Sequence, residues 1–195
     1  MITTPPRRRL LGRASALALA LVLGTGCSSA PGTPSGDGPL NGPDYNDAGS
    51  GDVCLPAKPG ATLTFGGDEL HNYGKSKVVV DSVGLTEAHG VRVVDAVIVP
   101  AANTFIGYAL HYPPPKSNLD DVGTGWQHRR QATGATIAPQ SDKSKLTHNL
   151  VVAIRVTGTS HVGMKHVMVD YHVGSKRYRW YNVLSLSVET RKKAC

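Results

Sequence analysis

Signatures of catalysis are what this 195-residue sequence most plainly lacks. It has no Gly-x-Ser-x-Gly elbow to present a nucleophilic serine, no Gly-x4-Gly-Lys-Ser/Thr loop to cradle phosphates and no His-Glu-x-x-His zinc pair. Ser160 and His161 are adjacent, and neighbours on an extended strand point to opposite faces, so they form no dyad. Asp120 and Asp121, followed by Gly123 and Gly125, read as a solvated turn rather than as paired acids. No segment shows the apolar period of an amphipathic helix of useful length, which excludes a helical bundle. The expectation is a non-enzyme, with a secreted hydrolase of unrecognisable motif as the third reading.

Acidic residues are also scarce, 14 against 21 Lys and Arg, for a net charge of +7. The four leader arginines (Arg7, Arg8, Arg9, Arg13) are balanced by four tether aspartates (Asp37, Asp44, Asp47, Asp52), so Cys54 to Cys195 carries the whole excess. Such a domain is drawn to anionic surfaces. Nucleic acid is not the expected partner. Lys176, Arg177, Arg179, Arg191, Lys192 and Lys193 interleave with Tyr178 and Trp180, but alternation sends those rings to the core, and the leader exports the chain.

Residues 1–26 run from a basic MITTPPRRRLLGR through an apolar ASALALALVL, too short for a comfortable membrane span, to a small GTG before Cys27. Arg7-Arg8-Arg9-Leu10-Leu11 is compatible with twin-arginine as well as general export. Residues 28–53 (SSAPGTPSGDGPLNGPDYNDAGSGDV) are Gly-, Pro- and Asp-rich and read as a tether contributing no core. As a flexible coil it spans roughly 25–30 Å. The leader ending in GTGC and this tether resemble the small secreted lipoproteins of high-GC Gram-positive bacteria. The resemblance implies lipidation (palmitate) at Cys27 and anchoring to the outer face of the cell membrane. If Cys27 is not used, the chain is secreted.

With Cys27 given to lipid, Cys54 and Cys195 remain as a pair at the two ends of residues 54–195. In an oxidising compartment they are expected to form a disulfide; the alternative is an exposed terminal thiol.

Between them the chain reads as short β segments with breaks: 61–65 before Gly66-Gly67, 77–83 before Gly84, 91–99 before Pro100, 104–111 before Pro113, a weak 132–138, and 149–157. Leu150, Val152, Ile154 and Val156 share one face opposite Val151, Ala153 and Arg155, a half-buried pattern. The clearest signal is Lys165 to Glu189. Val167, Val169, Tyr171 and Val173 alternate, and after Gly174-Ser175 so do Tyr178, Trp180, Leu184, Leu186 and Val188. A two-residue turn pairs Val173 with Lys176, Tyr171 with Tyr178 and Val169 with Trp180, so both apolar faces coincide and Trp180 is buried. About seven or eight strands predict an all-β fold, an immunoglobulin-like or related Greek-key β-sandwich.

Two stretches carry candidate chemistry. His161, Met164, His166, Met168 and His172 are ligand types that suit copper, making an extracytoplasmic copper-binding protein the runner-up function. The simpler reading pairs Asp170 with Arg179, Met168 with Tyr181 and His172 with Arg177 across the hairpin, with no cofactor. Trp126, in the long loop 113–131, either plugs the end of the sandwich or lies exposed beside Arg129 and Arg130 as a contact surface. The leading expectation is a noncatalytic structural or interaction domain of the cell envelope, meeting an anionic envelope polymer or a protein partner.

Overall fold

A computed structural model describes residues 38–41, 50–102, 105–119, 123–140, 146–191 and 194–195, all within one unit, Gly32–Cys195. Cys27, Asp120 and Asp121 lie outside the described residues. Twelve strands are described, more than the sequence predicts because several are two or three residues long: β1 (Gly51–Pro56), β2 (Thr62–Leu70), β3 (Val78–Thr86), β4 (Val91–Ala102), β5 (Gly107–Ala109), β6 (Arg130–Gln131), β7 (Thr136–Ile137), β8 (Leu146–Val156), β9 (Val162–Met164), β10 (His166–Val173), β11 (Lys176–Tyr181) and β12 (Leu184–Glu189). The only described helices are the short segments Lys116–Leu119 and Gly123–His128, the second a 3₁₀ helix. None is long and apolar enough to cross a membrane.

The strands form a five-stranded sheet (β5-β2-β8-β4-β6), a four-stranded sheet (β11-β10-β3-β7) and a three-stranded sheet (β1-β12-β9). Pairing is antiparallel except for β1 with β12, which is parallel. One core joins them. Leu63 and Phe65 of β2 and Leu150, Val152 and Ile154 of β8 meet Val78 and Val80 of β3, Val167, Val169 and Tyr171 of β10, Trp180 of β11 and Leu186 of β12. The architecture is therefore all-β, with sheets packed face to face in a sandwich-like manner.

The β10–β11 register is the expected one: Val173 faces Lys176, Tyr171 faces Tyr178 and Val169 faces Trp180. Gly174 takes φ 60 at the turn, a conformation costly for a side chain. Trp180 is 6% exposed. The second arm, however, does not continue to Glu189. It ends at Tyr181, and β12 crosses to the three-stranded sheet. Asn182 makes the corner: its backbone N–H donates to the Val167 carbonyl (3.0 Å) and its Oδ1 accepts from Val167 N–H (2.7 Å), closing the β10 ladder where β11 leaves it.

Several expected breaks lie inside strands. At Gly66-Gly67, β2 bulges between Phe65 and Asp68 rather than stopping. A Cβ on Gly67 would collide with the Tyr108 hydroxyl, so the glycine serves close packing. β4 runs through Pro100, because its partner on one side, β6, pairs only at Val97 and Ile98 and the missing N–H is not needed. β8 is not half-buried. Val151 and Ala153 are as buried as the core face, since Ile106, Tyr112, Leu119 and Trp126 form a second apolar cluster over the outer surface with Val97, Val99 and Val151.

The stretch read as tether also carries structure. Gly51, Asp52 and Val53 belong to β1, and Leu40 is 2% exposed within the main core. Its amide donates to the Tyr171 hydroxyl (3.3 Å), and Asn41 clamps Glu69 O and His71 N through its side chain. One leucine in a Gly/Pro-rich text suffices to dock a strap that composition assigns to solvent. The Cys54–Cys195 disulfide forms as expected, with Cα atoms 6.0 Å apart across a separation of 141 residues.

Candidate functional site

The copper-type residues do not converge. His161 is exposed, at φ 50, before β9. Met164 is 4% exposed and points into the main core from the three-stranded sheet. His166 and His172 stand at opposite ends of β10, about 20 Å apart for six residues of extended chain. His172 faces Arg177 in the β10–β11 ladder as expected, and its Nδ1 lies 2.7 Å from Asp81 Oδ1 on β3. His166 packs its ring against Tyr181 (centroids 6.1 Å), and Met168 faces Tyr181 in the ladder. Asp170 takes the Arg179 guanidinium on both oxygens (2.6 and 3.0 Å). Among the described residues, no three His, Cys, Asp or Glu side chains are grouped to hold a metal.

The outer surface of the five-stranded sheet offers a better-formed site. β4 bulges between Val93 and Asp95, and such bulges re-aim side chains. Asp95 accepts the Ala96 N–H (2.9 Å) on one oxygen and the Tyr112 hydroxyl (2.5 Å) on the other. Burial first, and the Asp95 hydrogen bond next, push the Tyr112 pKa well above its ordinary value, so the phenol stays a donor. Tyr112 meets the edge of Trp126 (6.2 Å, interplanar 77°). Arg129 then lies over the Trp126 ring, its guanidinium carbon 4.8 Å from the centroid, and donates to the Trp126 carbonyl (3.0 Å). Arg130 donates to Thr136 O (2.6 Å). These residues wall a cleft of about 460 Å³.

Trp126 is therefore half-buried and fulfils part of each expectation. It plugs an apolar cluster, on the outer surface of a sheet rather than at the end of the sandwich, and its indole also carries an exposed cation. Arg129 and Arg130 are exposed, and neither is within ion-pair distance of a carboxylate among the described residues. The basic edge strand β11 differs, because Arg177 reaches Asp81 (4.0 Å) and Arg179 is spent on Asp170. His148 adds no charge at neutral pH: burial, then Arg130 and His71, hold its pKa below the ordinary histidine value. Sequence reasoning named Trp126, Arg129 and Arg130 but missed Asp95 and Tyr112, which only the bulge and the loop path bring beside them.

A second cleft, of about 510 Å³, opens at one end of the four-stranded sheet, where β3 and β11 end and β10 begins: Thr86, Glu87, His166, Tyr181 and Asn182 line it with Ser50 and Val183. No family model matches the chain, and neither a curated protein nor a solved structure is significantly similar to it.

Proposed function

We propose that this chain is a noncatalytic interaction domain of the cell envelope, held at the membrane by a lipid on Cys27, and that the cleft beside Trp126 binds an anionic envelope polymer. The observation that carries the reading is the pair of guanidinium groups of Arg129 and Arg130, exposed, free of acidic partners among the described residues, and one of them stacked on an indole. A guanidinium whose plane is fixed by an aromatic face keeps its outward N–H groups for phosphate or carboxylate at reduced entropic cost. The net charge of +7 adds a longer-range attraction of the same sign. Anchoring rests on the leader and the GTGC sequence. The alternation of successive long strands between layers, β2 in one, β3 in the other and β4 back in the first, supports the immunoglobulin-like or Greek-key sandwich as the finer description of the fold.

Titration of the purified chain with a poly(glycerol phosphate) polymer at several salt concentrations tests the site. Binding is expected to weaken with salt and to fall about tenfold or more in R129A/R130A and in W126A, with the fold intact by circular dichroism. Equal binding by these variants overturns the reading. Cys27→Ala is expected to release the protein from the membrane fraction or leave its leader uncut; a mature N-terminus beyond Cys27 with no acyl mass removes the anchor.

A further inference from the structure

The second cleft shows what the first does not: polar atoms with nothing to bind. Thr86 and His166 are directly opposite each other in the β3–β10 ladder. Thr86 Oγ1 and His166 Nδ1 are both buried and have no hydrogen-bond partner. Native folds rarely leave such groups unpaired, and two on facing residues under one cleft wall point to a missing partner. The imidazole sits on a torsion with a broad well, so a small turn presents Nδ1 to the cleft.

The walls limit what that partner is. Tyr181 is 40% exposed and supplies an aromatic face beside the His166 ring (6.1 Å). Glu87, the residue after Thr86, is held at φ 45, the type of strained backbone that collects at ligand sites. Its carboxylate meets Lys165 Nζ at 3.0 Å, so the rim has a balanced pair and gives an anion no preference despite the basic chain. Asn182 is already spent, on Val167 and on Asp68 (3.2 Å). What remains is one hydroxyl, one imidazole nitrogen and one aromatic face. A ligand hydroxyl, which donates and accepts at once, satisfies Thr86 and His166 together, while the C–H face of a saturated ring covers Tyr181.

We propose that this cleft binds an uncharged, hydroxyl-rich ring, a neutral glycan unit, at a site separate from the cleft beside Trp126. Its volume of about 510 Å³ lies within the range of roughly 300–1,000 Å³ usual for small-ligand pockets.

The full chain is titrated with maltose, cellobiose and chitobiose, and with glucose 6-phosphate as the charged control, followed by calorimetry and by amide shifts in two-dimensional NMR. At least one neutral disaccharide is expected to bind in the millimolar range or tighter, with shifts centred on Thr86, Glu87, His166 and Asn182. Thr86→Val and Tyr181→Ala each weaken it about tenfold, and Thr86→Ser restores it. Thr86→Val also leaves Tm unchanged or raises it by about 2–4 °C, because it removes an unpaired buried hydroxyl. A clear fall in Tm for that variant overturns the proposal, since the hydroxyl was then paired. So does tighter binding of glucose 6-phosphate than of every neutral sugar, shifts elsewhere on the surface, or no binding by any of the three. Trp126→Ala leaves this binding unchanged; a parallel loss would merge the two sites and overturn their separation.

Discussion

Asn149→Ala is the substitution whose cost the structure specifies best. Asn149 lies on β8, is 0% exposed, and uses its amide three times: Nδ2 donates to Gly66 O (3.1 Å) and Asp68 O (2.7 Å), and Oδ1 accepts the Ile106 N–H (2.9 Å). The two carbonyls flank the β2 bulge, where the ladder to β8 skips Gly66 and Gly67 between Phe65 and Asp68. Deleting the amide strands three backbone groups in a region sealed from water. At about 1–1.5 kcal/mol per bond, more for groups left fully unpaired, the cost is about 3–5 kcal/mol, a large part of the 5–15 kcal/mol typical of a whole domain. In urea, with a slope of about 2 kcal/mol/M, the midpoint should fall by about 1.5–2.5 M at unchanged slope. Two companions separate hydrogen bonding from volume. Asn149→Leu fills the space but donates nothing, and should cost as much as Asn149→Ala. Asn149→Asp keeps the acceptor for Ile106 but turns a carboxylate toward two carbonyl oxygens, and should cost no less at neutral pH. A loss below about 1 kcal/mol in Asn149→Ala would refute the reasoning, because the bulge would then have other partners.

Reducing the Cys54–Cys195 bond should lower stability by about 5 kcal/mol in the chain-entropy account of a loop this long; unreduced, exported protein should take up no alkylating agent at these two residues, and alkylation of both would refute the staple. Alkaline titration should find two late phenols besides Tyr112, those of Tyr108 and Tyr171. Burial is the main cause for each, with Asp68 next for Tyr108 and with Tyr178 opposing the Leu40 hydrogen bond for Tyr171, and both are raised from 10.0 to about 12. Folded phenols that hold their protons while unfolded ones release them contribute stability present below pH about 10 and lost between about 10 and 12. Tyrosinate absorbance against pH, with and without denaturant, measures it, and coincident curves would refute it.

The register of the β10–β11 hairpin was legible because two independent alternations, on either side of Gly174-Ser175, had to agree on one face, and a slip of one residue would expose Trp180. The corner at Asn182 was not, for a physical reason. Trp180, Asn182, Leu184, Leu186 and Val188 all occupy even positions, and Asn182 is itself 1% exposed. The chain thus changes sheets without changing phase, and alternation reads one long strand where there are two. The polar contact cleft was half legible. Trp126, Arg129 and Arg130 are neighbours in sequence, whereas Asp95 comes from a bulge and Tyr112 from the far side of the loop, and neither local pattern nor composition encodes that approach.

What composition did carry, unused, was the placement of asparagine. Four asparagines are buried among the described residues, and each clips backbone that regular pairing does not satisfy. Asn41 holds the strap at Glu69 and His71. Asn72 donates to Ser76 O and Ile137 O (both 2.9 Å) and accepts from Gly74 N–H (2.9 Å), closing the turn between β2 and β3. Asn149 spans the β2 bulge, and Asn182 makes the corner to β12. A primary amide suits these positions because it donates and accepts at one small planar group without introducing charge. A serine lacks the reach to bridge two backbone groups, and an aspartate offers no donor at neutral pH. An asparagine at an inward-phase position of an otherwise apolar strand, as Asn182 is between Trp180 and Leu184, therefore marks a place where the sheet is interrupted rather than a residue misplaced in the core. Read in that way, Asn182 beyond Trp180 announces the crossing that the hydrophobic pattern conceals.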